Sequence, residues 1–190
     1  AADFDYLRKN AAKYQLKPDA LGIMGFSAGG HLAGSYGTLW GDEILSKTLG
    51  TARENLRPNA MALCYGVLTT GIHTHGGSIS NLLGDNDTEE LREKVSVEKN
   101  VSSDTPAAFI WHTFEDSAVP VENSLLTAEA LAKAKIPFEL HVYPNGCHGL
   151  ALANWLTTAE PEKGVPPKYV ARWIDDCADW FLRVSGFEYK

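Results

Sequence analysis

The chain predicts an α/β fold, a parallel sheet flanked by helices, and three observations carry that prediction. Short apolar runs of strand length alternate with segments of helical periodicity, an order that demands crossover connections and hence parallel strands. The run Ala20-Leu21-Gly22-Ile23-Met24 enters Gly25-Phe26-Ser27-Ala28-Gly29, and Gly30-His31-Leu32-Ala33 opens a helix directly behind it. That is the strand–turn–helix setting of a G-x-S-x-G elbow. The last helix has its own signals: Pro166-Pro167 before it, Gly186 after it, and Val170, Trp173, Ile174, Cys177, Phe181 and Val184 on one stripe. With 190 residues and 44% apolar content, the chain reads as a single domain over 1–190 with a sizeable core.

Taken in order, an amphipathic helix is expected over 1–16, where Phe4, Leu7, Ala11 and Tyr14 recur at helical spacing. Strand 20–25 and the elbow helix 27–40 follow, then a loop to 58 and strand 60–66. A glycine-rich loop leads to short helices near 78–84 and 88–95, and Asp87 with Glu90 reads as the capping box of the second. Strand 106–112, helix 120–135, strand 138–143 and helix 166–185 complete the order. There are no repeats and no low-complexity tracts.

The elbow gives the chemistry a starting point. A serine on so tight a turn leaves no room for side chains two residues either way, so Gly25 and Gly29 read as steric necessities. Ser27 also sits at a helix N-terminus, where free N–H groups and the dipole favour developing negative charge. Its partners should follow as acid, then histidine. Asp116 lies just beyond the C-terminal end of strand 106–112, where functional loops of such sheets gather. Glu115 is the rival, while Asp104 precedes the strand and lies at the wrong end. His148 follows strand 138–143 on a loop with small neighbours, so its ring can reach Ser27. Of the other histidines, His141 alternates with Leu140 and Val142 within a strand, His112 ends a strand, His31 is on the elbow helix, and His73 and His75 lie in the glycine-rich loop.

Several function classes lack support. The net charge of −7 argues against nucleic acid or an anionic membrane surface as partner. No apolar run approaches the length of a membrane span. The stretch Asp85-Asn86-Asp87-Thr88-Glu89-Glu90 lacks the glycine and the final glutamate of a calcium loop, and His73-Thr74-His75 has no third ligand at metal spacing, so no metal is expected. No phosphate-binding glycine motif occurs, so no nucleotide or other cofactor is expected either. Cys64 and Cys177 read as reduced core residues, and nothing activates Cys147 as a nucleophile. The default compartment is the cytoplasm, with export left open.

Three stretches together carry a resemblance: Gly25 to Ala33, His112 through Val119-Pro120-Val121-Glu122-Asn123-Ser124, and Tyr143-Pro144 through His148-Gly149. They resemble the bacterial acetyl-esterase and acetyl-xylan-esterase-like branch of the α/β-hydrolases, from the first residues to about Ala153. The resemblance implies a serine hydrolase of short acyl esters, often acetyl groups on sugars, with Ser27 as nucleophile, Asp116 as acid and His148 as base. The Ala28 N–H would be one oxyanion donor. The chain departs from the pattern at Gly66, where the family usually has proline, and at Cys147, where glycine is common. Loop 67–87 is the candidate for one side of the pocket.

The resemblance also implies strands before the elbow and a His-Gly-Gly-Gly loop carrying the second oxyanion donor, and neither occurs in this sequence. Strand 20–25 is therefore expected to have a foreign partner or an open edge, the sheet being completed by preceding polypeptide or by another chain. Two other readings stand beside the esterase. One is a peptidase of the prolyl-oligopeptidase type, whose propeller and bulky-residue elbow are not seen. The other is an inactive, incomplete hydrolase fold serving as an interaction module.

Overall fold

The computed structural model describes residues 1–157 and 168–186. Four parallel strands lie in chain order, β1 (Gly22–Phe26), β2 (Ala60–Cys64), β3 (Ala107–Thr113) and β4 (Phe138–Tyr143). Gly22 is in register with Ala60, Ala60 with Ala107, and Ala108 with Phe138. β2 is buried along its whole length and β3 at all but its first residue, as strands covered on both faces must be. β1 is different. Among the described residues it pairs on one side only, and Met24 is 43% exposed. A cavity of about 380 Å³ runs along this edge between β1 and the last helix, lined by Leu21, Ile23, Met24, Ile174 and Phe181.

Alternation along the strands sorts their side chains into two cores. Ala60, Ala62, Cys64, Phe109 and Trp111 face helix α8 (Trp173–Val184), where Trp173 stacks on Trp111 with ring centroids 5.0 Å apart. Met61, Leu63, Ala108 and Ile110 face the other way, toward α3 (Ala28–Leu39) and α7 (Glu122–Lys133). The buried face of α3 is Gly30, Ala33, Gly34 and Gly37, so this helix comes close to β1 and β2. A Cβ on Gly30 would sit 2.7 Å from the Gly66 Cα, and a Cβ on Gly66 would sit 2.8 Å from the Leu68 Cδ2 and 3.3 Å from the Gly30 Cα, so the two glycine backbones approach closely here. Among the described residues no helix is long and apolar enough to cross a membrane.

The element order matches the expectation, with local differences that have physical causes. The expected helix 1–16 is broken at Asn10 into α1 (Ala2–Lys9) and α2 (Ala11–Tyr14), and Tyr14 leaves the predicted apolar face to pair its hydroxyl with Tyr6. The loop 41–58 contains a helix, α4 (Glu43–Leu49), and a 3₁₀ turn over Arg53–Leu56. α4 buries no residue, so periodicity does not reveal it. It is held by its caps, with Asp42 accepting from the Ile44 N–H and Gly50 closing the end at φ 60°.

Helices α5 (Gly76–Leu83) and α6 (Glu89–Val95) lie close to their expected places, but the cap of α6 is not Asp87. Thr88 accepts from the Leu91 N–H, and both Asp87 carboxylate oxygens accept from one edge of the Arg92 guanidinium, Nε and Nη2. α8 begins at Trp173 after a 3₁₀ turn over Val170–Arg172, and the Pro166-Pro167 start signal lies outside the described residues.

Candidate active site

Ser27 stands between β1 and α3 at φ 55°, ψ −121°, a conformation that a residue with a side chain rarely adopts. The turn requires one of its two flanking glycines. A Cβ on Gly25 would lie 1.9 Å from the Gly29 carbonyl oxygen, whereas a Cβ on Gly29 would meet nothing within 4 Å. Gly29 is therefore not the steric necessity that the motif suggested; its backbone is what crowds Gly25. Two backbone bonds pin the elbow to β2 and its exit, from the Ser27 N–H to the Cys64 carbonyl and from the Val67 N–H to the Ser27 carbonyl. Ala28 is the first residue of α3, so its N–H has no intrahelical acceptor.

The structure brings Ser27, His148 and Asp116 together, across 121 and 32 residues of sequence. His148 Nε2 is 2.7 Å from Ser27 Oγ, and His148 Nδ1 is 2.7 Å from Asp116 Oδ2. A carboxylate only accepts, so the Nδ1 proton is donated to Asp116 and Nε2 is left to accept from the serine hydroxyl. Asp116 itself is closed in. Oδ1 accepts from the Ala118 and Val119 N–H groups, and Oδ2 also lies 3.3 Å from His112 Nε2. Burial alone would raise this carboxyl's pKa, but the hydrogen bonds from His112, His148 and Val119 outweigh it and hold the group well below the usual carboxylate range.

The rivals have other occupations. Glu115 accepts from the Asn145 side chain and the Gly146 N–H, and Asp104 pairs with Arg53 at the far end of the sheet. His31 bonds the Val95 carbonyl, His75 caps α5 through Ser78, and His141 pairs with Glu139. Cys147 is exposed beside His148, and Cys64 and Cys177 are buried free thiols.

Sequence reasoning passed over Tyr65. It directly follows β2 with φ 38°, packs nearly perpendicular to the His148 ring with centroids 5.1 Å apart, and accepts the Ala151 N–H on its hydroxyl at 2.9 Å. Nothing local distinguishes it from another buried strand-end aromatic. A cleft of about 440 Å³ opens between α3 and α5, with Ala28, Leu32 and, from the candidate loop 67–87, Ser78, Ile79 and Leu82 among its walls; Ser27, Asp116 and His148 are not among them.

Comparison with known proteins agrees with this architecture. Residues 2–131 match the BD-FAE family. The chain is 48% identical over 149 residues to an endo-1,4-beta-xylanase B of Butyrivibrio fibrisolvens, covering 78% of this chain and 23% of that protein. It is 30% identical over 188 residues to an acetylxylan esterase of Xylanibacter ruminicola, covering 96% of this chain and 34% of that protein. Among solved structures, an acetyl ester-xyloside bifunctional hydrolase from Caldicellulosiruptor lactoaceticus matches with TM-score 0.81 at 40% identity, over 98% of this chain and 64% of that one. A carboxylesterase from Lactobacillus plantarum shares the fold at TM-score 0.82 and 24% identity, over 100% of this chain and 67% of that one. The chain thus spans 23% and 34% of the two curated relatives' lengths. With the matched region covering well over half of its residues, the chain belongs to the BD-FAE family and carries the α/β-hydrolase fold.

Proposed function

We propose that the chain hydrolyses carboxylic esters, removing short acyl groups such as acetyl from carbohydrate, with Ser27 as nucleophile, His148 as base and Asp116 as orienting acid. The observation that carries this reading is the unbroken hydrogen-bond chain from Ser27 Oγ through both nitrogens of His148 to Asp116 Oδ2, each link 2.7 Å, on a strained elbow. The acetylxylan esterase and the acetyl ester-xyloside hydrolase among its relatives support the choice of ester and of sugar.

In this reading His148 Nε2 takes the hydroxyl proton as Ser27 Oγ attacks the ester carbonyl, and the carbonyl electron pair moves onto oxygen. The Ala28 N–H meets that oxyanion at the helix N-terminus. Collapse of the tetrahedral intermediate breaks the bond to the alcohol, which leaves with the proton from His148. Water then attacks the acyl-serine with His148 again as base, releasing the acid and restoring Ser27. Asp116, held ionised by its donors, fixes the Nδ1–H tautomer and stabilises the imidazolium in both halves.

The reading also includes a further strand on the open edge of β1, supplied by preceding polypeptide or by a second chain, which would bring the second oxyanion donor. The half-exposed strand and the apolar cavity beside it support this addition. In the protein as it occurs in its source, the β1 amides that do not bond β2 should be protected from hydrogen exchange; rapid exchange there would remove the added strand from the reading.

The test of the activity compares p-nitrophenyl acetate and acetylated xylo-oligosaccharide with a proline-linked anilide. Ester turnover should dominate, and Ser27→Ala should remove about 10⁶-fold of kcat. A fluorophosphonate probe should label Ser27 alone. Preference for the anilide would favour the peptidase reading, and labelling that persists in Ser27→Ala would defeat the nucleophile assignment.

A further inference from the structure

Asp116 is held by a second histidine that the reaction scheme above leaves unused. His112, next to the last residue of β3, is fully buried. Side chains alternate along a strand, so His112 points with Ala108 and Ile110 to the side covered by α7, where Ser124 lies in the first turn. His112 Nδ1 is 2.7 Å from Ser124 Oγ. Its Nε2 is 2.9 Å from the Val119 carbonyl oxygen and 3.3 Å from Asp116 Oδ2. Both of those oxygens only accept, so Nε2 carries a proton and shares it between them. Oδ2 of Asp116 is thus held between two imidazoles, one sealed in the core and the other, with 24% of its side chain exposed, facing Ser27.

Rotation about the Cβ–Cγ bond would carry both carboxylate oxygens away from their partners together, and two amide bonds oppose it at Oδ1. From within the core, the group set against that rotation at Oδ2 is His112 Nε2–H. We propose that His112, anchored by Ser124, is a positioning residue for the reaction: it fixes Asp116 Oδ2 at the place where that oxygen meets the Nδ1–H of His148, and so sets the line of His148 Nε2 toward Ser27. The proposal rests on the Ser27–His148–Asp116 reading. A purely structural role, tying the Val119 carbonyl to α7, would cost stability without moving the chemistry.

The test uses His112→Leu, which keeps an apolar volume and removes the donor, and His112→Gln, whose amide restores an N–H at a similar reach. Misplacement of a reacting group by about 1 Å can cost about 10²-fold, so His112→Leu should lose about that factor in kcat on p-nitrophenyl acetate with KM unchanged. His112→Gln should recover most of the loss, and Ser124→Ala should fall between wild type and His112→Leu. The NMR resonance of the Asp116-bound His148 Nδ1–H in ¹⁵N-labelled protein should move or broaden in His112→Leu and return in His112→Gln.

A folded His112→Leu with wild-type kcat and an unmoved resonance overturns the proposal. If His112→Leu does not fold, Ser124→Ala decides it, and unchanged kcat with an unmoved resonance again overturns it. Failure of the underlying reading looks different, because Ser27→Ala would keep turnover and probe labelling, while the resonance still reports whether His112 places Asp116.

Discussion

The two loops that bring the acid and the histidine to Ser27 are built in opposite ways. Loop 113–121 closes on itself through near neighbours: the Ala118 and Val119 amides bond Asp116, and His112 and Ser124 brace it from the flanking elements. Loop 144–157 has four residues at positive φ, Gly146, Gly149, Ala151 and Ala153, and distant residues hold it in place. Thr113 bonds the Gly146 carbonyl, Glu115 bonds the Gly146 N–H, Tyr65 accepts the Ala151 N–H, and Trp173 donates to the Ala151 carbonyl. The Asp116 side chain has no exposure at all, while His148 keeps 24%. The contrast follows from what each must do. The acid has only to stay ionised and oriented, so it can be sealed in. The histidine must exchange protons with serine, alcohol and water, so it has to stand at the opening, and its placement is stabilised from behind.

The comparison can be broken at either loop. The largest effect is expected at the acid. Asp116→Asn should lower kcat by about 10⁴, because the amide presents the wrong partner to Nδ1–H. Glu115→Gln, a change at the neighbouring carboxyl, should cost far less, and steady-state kinetics on p-nitrophenyl acetate separate the two. If Glu115→Gln is the crippling change, the acid loop has been read one residue out of place.

Next in size is the buried Asn123, whose Oδ1 accepts from the Leu68 and Thr69 N–H groups and whose amide donates to the His73 and Pro120 carbonyls. Asn123→Ala leaves those backbone groups without partners, at about 1–3 kcal/mol for each that water cannot reach, read as a fall in the urea midpoint. In the histidine loop the expected loss is smaller. Tyr65→Phe keeps the ring against His148 and removes one acceptor, about 1 kcal/mol, with faster hydrogen exchange at the Ala151 amide.

The loops should also yield at opposite ends of the pH scale. Asp116 is held below the usual carboxylate range in the folded state, so its contribution is fully present above about pH 4, the unfolded value. It is lost as pH falls from there toward the folded value. For Tyr65, burial pushes the phenol from 10.0 up to about 12, so its contribution is complete below pH 10 and is lost between pH 10 and 12. The difference in stability between wild type and Tyr65→Phe should therefore shrink across that alkaline window. A difference that stays constant would mean that Tyr65 is not ionising against a folded-state penalty.

What could be read from the chain and what could not divides along the range of the forces involved. Ser27 was legible because an elbow is a local object: a strand, a turn that needs Gly25, and a helix that begins at once. Asp116 and His148 were legible because chain order and the C-terminal ends of parallel strands leave few places for them. The helix α4 was not legible, because its stability lies in Asp42 and Gly50 rather than in an apolar stripe. Thr88 and Asp87 compete for the same cap, and the choice was made by Arg92, which draws Asp87 away.

The sequence by itself determined the α/β order, the strand that carries the nucleophile and the identity of the three polar residues that meet. Those depend on short-range sterics, periodicity and connection rules, all of which act within a few residues. Only the tertiary structure decided that Gly29 is spare while Gly30 and Gly66 touch, that Tyr65 backs His148, and that His112 grips Asp116 from the core. Each of these is a contact between elements far apart in the chain, fixed by how closely α3, α7 and the strands pack, and packing distance is not written in any local run of residues.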